Sequence, residues 1–318
     1  MNKLYVVLAA GRSTARFLAT ATVEIDPPVP NAEEMVIIGG NHHIRLLDYH
    51  QRCCTVITKH GFCVAFMKNE IAVRSAHPYL PTPRILEKSG DGGWYSEELI
   101  LGTPINRLKD QRQADDAVQK IVLLLFRLYE TTQKLERIQD YVGRIVSRIG
   151  QNIDRNLLLS TSQRDTMSAA VKRFACAANG LSSDIITVQA HGDFQPANIL
   201  VGNGGSWLID WEYTTQRQSG YDGLVYVLYS RRSSGLAQRI SCAIDGTLQA
   251  DALLAGWPGL EWHDYNKRHG RLALFLLEEL DLKLMENDNS LFTSVDSGLK
   301  NLCQELVHIL PLFNSCNI

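Results

Sequence analysis

An α+β fold, rich in strands at first and helical afterwards, is expected from three observations. Between residues 36 and 102 short β-branched runs are separated by glycine- and proline-containing turns. Beyond residue 110 apolar residues recur at helical spacing. The chain of 318 residues is long enough for two lobes at the usual ~100–200 residues per domain.

Each element follows in order. Ala21 to Asn31, rich in proline, reads as a connection from an N-terminal strand or strand pair to the first strand of a sheet. Val36–Gly40 and Ile44–Leu47 read as a hairpin, whose glycines either let the backbone approach a ligand or simply turn the chain; it has no G-x-G-x-x-G. Cys54–Lys59 is β-rich, Met67–Arg74 opens a helix, and Pro81–Leu86 and Trp94–Gly102 lead into further strands. From Asp115 to Gln139, Val118, Ile121, Val122, Leu125, Leu128 and Tyr129 form the buried stripe of one long helix. A second helix over 161–179 stops at Asn179-Gly180. Leu272–Met285 and Val295–Leu312 complete the helical part.

The chemistry is concentrated in His191-Gly-Asp-Phe-Gln-Pro-Ala-Asn198, followed by Ile209-Asp-Trp-Glu212. Ile199–Val201 reads as a strand, Gly202-Asn-Gly-Gly205 as a hairpin turn and Trp207–Ile209 as the partner strand, which returns Asp210 to the side of Asn198. Phosphoryl transfer needs such a set. A carboxylate near the attacking hydroxyl, Asp193, accepts its proton, and oxygen ligands hold a magnesium ion against the phosphates. Asn198 and Asp210 are the expected ligands, because magnesium takes oxygen donors and only one or two protein carboxylates.

At these residues the chain resembles the aminoglycoside phosphotransferase and choline kinase group of small-molecule kinases. The resemblance implies a two-lobed protein kinase-like fold, with a β-rich N-lobe over 36–102, a helical C-lobe over 103–318, and an extension over 1–35 that it does not cover. It implies ATP and Mg2+ as cofactors and a small-molecule alcohol as acceptor. It implies catalytic roles for Asp193 and Asn198, and for His191 a place in the catalytic loop, either as a buried histidine that holds the loop or as an acid–base group. It implies that a strand lysine contacts the α- and β-phosphates and is oriented by a helix glutamate. Lys59 and Glu70 match that pair, with Lys68 as rival. The hinge that holds adenine by backbone groups falls at Glu98 to Gly102, with Ile100 the donor. Asp222 matches the aspartate that braces the catalytic loop, and Gln195 stands where the family often carries histidine. Glu212 either reaches a second metal or lies on a solvated loop.

Two other classes stay open. One is a nucleotide-binding pseudokinase that acts as a scaffold, which the intact Asp193, Asn198 and Asp210 oppose. The other is a kinase acting on protein, which lacks an obvious peptide platform after Asp210. Net charge of −2 gives no case for nucleic acid or an anionic membrane. From residue 251 on, Asp251, Glu261, Asp264, Glu278, Glu279, Asp281, Glu286, Asp288, Asp296 and Glu305 face five basic residues. That excess reads as a solvated face or as the wall of a pocket for a cation. Seven cysteines form no C-x-x-C pair and leave one over, so reduced thiols in a cytoplasmic protein are expected. No apolar run reaches the ~18 residues of a membrane span. Leu4–Ala10 is stopped too early by Gly11 and Arg12 to be a signal-peptide core. Val7–Arg16 resembles the phosphate loop of sugar nucleotidyltransferases, but Ala15 interrupts its Thr-Arg step and the following lysine is as far away as Lys59.

Overall fold

The computed structural model describes residues 4–6, 21–23, 25, 29–40, 42–181, 184–248, 251–288 and 291–313. The whole Val7–Arg16 segment thus lies outside the described residues. Two short strands, β1 (Leu4–Val6) and β2 (Ala21–Val23), pair antiparallel. Then comes the main sheet: β3 (Val36–Gly39), β4 (His43–Asp48), β5 (Cys53–Thr58), helix α1 (Ala65–Ala76), β6 (Ile85–Lys88) and β7 (Trp94–Glu98). Its order is β3-β4-β5-β7-β6, antiparallel throughout.

β-branched residues suit this half-buried surface, and alternation assigns the faces. Cys54 and Val56 turn inward and form a buried cluster with Met67 and Ile71 of α1 and Tyr95 of β7. Thr58 Oγ1 lies 3.6 Å from Met67 Sδ on the same face.

After β7 the chain leaves the sheet. Strand β8 (Gly102–Pro104) pairs instead with a hairpin of the second lobe. Helix α2 (Gln111–Thr132) starts at Asp110, whose carboxylate accepts the Arg112 N–H, a standard N-cap. The single helix expected over 115–139 does not form. Helix α2 ends at Thr132, a strand β9 (Lys134–Arg137) intervenes, and α3 (Ile138–Arg155) begins. Thr132 Oγ1 donates to the Leu128 carbonyl at 2.7 Å at the helix end. Strand β9 then pairs with β10 (Asp184–Ala190), a long-range partner that overrides the helical propensity of Lys134–Arg137. Helix α4 (Thr161–Asn179) is closed by a Ser160/Gln163 capping box.

The expected hairpin, β11 (Ile199–Gly202) and β12 (Gly205–Leu208), forms with a two-residue turn. It is followed by β13 (Thr215–Gln218), α5 (Tyr221–Val227), α6 (Leu236–Asp245), α7 (Asp251–Ala255), α8 (Tyr265–Glu286) and α9 (Ser297–Ile309). One large core joins α2, α3, α4 and α8 around Phe174, Phe194, Trp211, Tyr221 and Phe275. Phe66, Tyr213 and Leu282 form a small buried cluster between α1, the loop after Asp210 and α8, which ties the lobes together.

Two expectations fail here. Helix α8 has no wet face, because Glu278, Glu279 and Asp281 are all buried with partners in the protein. Cys176 is disulfide-bonded, whereas Cys53, Cys54, Cys63, Cys242 and Cys303 are free, so the expectation of reduced thiols holds for those five alone. Among the described residues no helix is long and apolar enough to cross a membrane.

Candidate active site

The loop from His191 to Asn198 is held from below. Asp222, in the first turn of α5, accepts the backbone N–H of His191 (2.7 Å) and of Gly192 (2.9 Å), and the Tyr129 hydroxyl (2.6 Å). These are the bracing bonds expected of it. Gly192 has φ +88, and a Cβ there would sit 2.2 Å from the Tyr213 carbonyl oxygen, so no other residue fits without moving the next loop. His191 is fully buried, with Nε2 3.0 Å from the Ile209 carbonyl and Nδ1 accepting the Asp193 N–H at 3.1 Å. Both ring nitrogens are engaged with backbone. So held, the ring fixes the loop.

Asp193 and Asn198 meet directly. Asn198 Nδ2 donates to Asp193 Oδ2 (2.7 Å) and to the Asp193 carbonyl (2.9 Å), and Gln195 Nε2 donates to the same carboxylate (2.8 Å). The other oxygen, Oδ1, accepts from Arg231 Nε at 2.6 Å. Burial pushes the Asp193 carboxyl up, but the Arg231 guanidinium and the hydrogen bonds outweigh it and hold the group below the usual carboxylate range. Arg231 also donates to the Gly192 carbonyl (2.8 Å) and pairs with Glu279, which accepts the Tyr221 hydroxyl as well.

Asp210 comes back beside this loop because the Ile209 N–H donates to the Asn198 carbonyl at 3.0 Å. Its φ of +71 is the left-handed conformation that aspartate tolerates better than most residues. Its carboxylate meets Arg45 of β4, Nη2 to Oδ1 at 2.5 Å. Among the described residues no three His, Cys, Asp or Glu side chains gather as a metal site. An amide and one carboxylate still suit magnesium, which keeps waters and phosphate oxygens as its other ligands.

The Lys59–Glu70 pair does not assemble. Glu70 is fully buried in α1 and pairs with Arg74 at 2.9 Å; Arg74 also binds Glu97 at 2.6 Å. Lys59 lies just past β5, with Nζ 2.5 Å from the Gly40 carbonyl in the β3–β4 turn. Side chains alternate along a strand, so one position past Thr58 faces away from α1. At the expected hinge, Glu98 pairs with Arg84 at 2.7 Å and Leu99 N–H donates to the Arg52 carbonyl; Ile100 follows, partly buried. Glu212 lies 2.8 Å from His43 Nδ1 and is largely buried, which overturns the solvated-loop reading; burial raises its carboxyl pKa.

Sequence reading missed Arg45, Arg74 and Arg231. Arg45 carried a weak signal, a lone charge in the apolar run Ile44–Leu47. Arg231 carried none, since only the tertiary fold brings it to Asp193.

The fold defined by this sheet and these helices is the two-lobed protein kinase-like one. No protein-family model matches the sequence, and no curated protein matches it. Solved structures do. A choline/ethanolamine kinase family protein from Mesorhizobium loti is similar at 15% identity and TM-score 0.52 over 89% of this chain and 88% of that one. Choline kinase LicA from Streptococcus pneumoniae is similar at 13% identity and TM-score 0.54, over 88% and 95%. A thermostable mutant of aminoglycoside phosphotransferase APH(4)-Ia, in a ternary complex with ADP and hygromycin B, matches at 12% identity and TM-score 0.55, over 89% and 94%. The chain has the fold of these small-molecule kinases.

Proposed function

We propose that the protein is an ATP-dependent phosphotransferase that moves the γ-phosphoryl group to a hydroxyl of a small molecule: a sugar, an aminoglycoside or an amino alcohol. One observation carries the reading. The Asp193 carboxylate, the Asn198 amide and the Asp210 carboxylate converge from two loops joined by the Ile209-to-Asn198 backbone bond.

In this reading the acceptor hydroxyl gives its proton to Asp193 as its oxygen bonds to the γ-phosphorus, and the bond from that phosphorus to the β-bridging oxygen breaks to release ADP. Asp193 suits the task because Arg231 keeps it ionised. His191, Gln195 and Asp222 orient it and take no proton. Mg2+, held by Asn198 and Asp210, would neutralise charge on the phosphate oxygens when bound. Adenine is assigned to the backbone of Glu98 to Gly102, with Ile100 as donor.

The domain division is part of the proposal: 36–102 as the nucleotide lobe, 103–318 as the catalytic lobe and 1–35 as an extension. It is supported by Gly102, where the chain leaves the five-stranded sheet to pair with β11. A cytoplasmic location goes with this reading; the five free cysteines support it and the disulfide at Cys176 does not.

The test is an ATP-consumption screen across sugars, amino alcohols and aminoglycosides with the wild type and Asp193→Asn. Turnover with one acceptor class is expected, and the variant should keep its ADP affinity while kcat falls by ~10²–10⁴, the range for losing a positioned base. Wild-type turnover in Asp193→Asn would remove Asp193 from the mechanism.

A further inference from the structure

We propose that Arg45 of β4, rather than Lys59 just past β5, is the cation that meets the nucleotide phosphates, and that without nucleotide it serves as the counter-ion of Asp210. The inference rests on the phosphotransferase reading above and names a residue that reading does not use.

Register carries the first step. Arg45 is paired directly opposite Val56, and directly opposite residues of neighbouring strands present their side chains to the same face. Val56 is fully buried in the cluster against α1. The β5 position that faces α1 and the second lobe is therefore an apolar one, and its cross-strand neighbour supplies the charge. Lys59 is directed to the Gly40 carbonyl at the hairpin turn instead. Arg74 is committed as well, sealed under the sheet between Glu70, Glu97 and the Pro83 carbonyl.

Chemistry carries the second step. Arg45 reaches from the sheet to the catalytic lobe, 2.5 Å from Asp210 Oδ1, and both side chains keep about a quarter of their surface exposed (23% and 26%). Such a pair is open to exchange, unlike the Arg74 pairs, in which the arginine side chain is 3% exposed. A metal ion that takes Asp210 displaces Arg45 from it. The displaced guanidinium then stands beside the nucleotide phosphates, whose oxygens its planar fork matches. Arg45 and the metal thus compete for Asp210 when the protein is empty and cooperate once a nucleotide is present.

The experiment measures binding, without turnover, of ADP, of adenosine and of Mn2+ alone as a metal probe. Arg45→Met should weaken ADP by about tenfold or more, the worth of hydrogen bonds to a charged group. It should leave adenosine unchanged and tighten Mn2+ in the absence of nucleotide, because Asp210 loses its competing cation. Lys59→Met should leave all three constants where they were. ADP bound by Arg45→Met as tightly as by the wild type overturns the proposal, as does a comparable loss in Lys59→Met. Should Arg45→Met lose adenosine too, Arg45→Gln, which keeps a polar head in the same space, decides by the same ADP-to-adenosine ratio. A wild type that binds neither ADP nor adenosine refutes instead the nucleotide-dependent reading beneath it.

Discussion

The Asp193–Asn198–Asp210 cluster of the second lobe and the charged layer of the first lobe are built in opposite ways. Asp193, Asn198 and Asp210 lie within eighteen residues of one another, and one hairpin brings them together. Arg45, Glu70, Arg74 and Glu97 come from two strands and a helix; Glu70 and Arg74 meet at i,i+4 spacing on the helix, but sheet register decides where Arg45 and Glu97 stand. A site made by local chain geometry is fixed by spacing. A site made by register is fixed by parity, and a shift of one residue sends a side chain to the other face.

That contrast can be broken by measurement. The largest effect is expected at Arg74, whose removal leaves Glu70 and Glu97 buried without their cation. Arg74→Ala should lower stability by ~3–5 kcal/mol in denaturant unfolding, as for breaking a buried ion pair. A loss below ~1 kcal/mol, the scale of exposed pairs, would show that the layer is not the closed unit it looks.

Next is Glu278 of α8, which accepts the Tyr141 hydroxyl (2.6 Å), the Gln218 N–H (2.8 Å) and Gln218 Nε2 (2.9 Å). Burial pushes its carboxyl from 4.5 up to about 7 against the opposing pull of Arg217 and these hydrogen bonds. Between pH 4.5 and 7 the folded protein keeps a proton that the unfolded chain has lost, so stability falls as pH rises through that window. Relative to Glu278→Gln, the wild type should lose up to about 3 kcal/mol between these limits and stay level above them. Glu97 is pushed to a similar value but is present in both proteins and cancels. A flat difference would mean that Glu278 titrates as an ordinary surface carboxylate.

The smallest effect sharpens the comparison. Lys59→Met should cost about 1 kcal/mol, the scale of an ordinary hydrogen bond such as the one to the Gly40 carbonyl. A loss like that of Arg74→Ala would give Lys59 the structural weight that the structure assigns to Arg74.

Legibility in the sequence followed the same division. The bracing of the loop by Asp222 was legible through the family resemblance, whereas the β11–β12 hairpin and α4 were readable because their signals are local: a glycine turn and a helix stop at Asn179-Gly180. The break of the 115–139 helix was not, because β9 exists only through its pairing with β10. Nor was the burial of α8. Its acidic residues occupy positions that a surface helix would give to water, and their partners Tyr141, Arg148, Gln218, Tyr221 and Arg231 lie on segments far away in sequence.

Helix α8 is a party wall between two rooms. Glu278, Asp281, Leu282 and Met285 border a cavity of about 330 Å³ shared with Tyr141, Arg148 and Arg217. Glu279 and Lys283 border another, of about 220 Å³, on the side of Arg231 and so of Asp193. Leu277, Leu280 and Leu284 fill the remaining side with core. From Arg271 to Leu284 the rod is held on every side, so it cannot rotate to present a new residue to either room, and Glu278, Glu279 and Asp281 already have partners on other segments. If the smaller room receives the acceptor of the proposed reaction, laboratory evolution of a different acceptor range should leave α8 alone and accumulate changes in the opposite wall, in Arg232, Ser233, Ser297 and Asn301, where a substitution disturbs one room and not both.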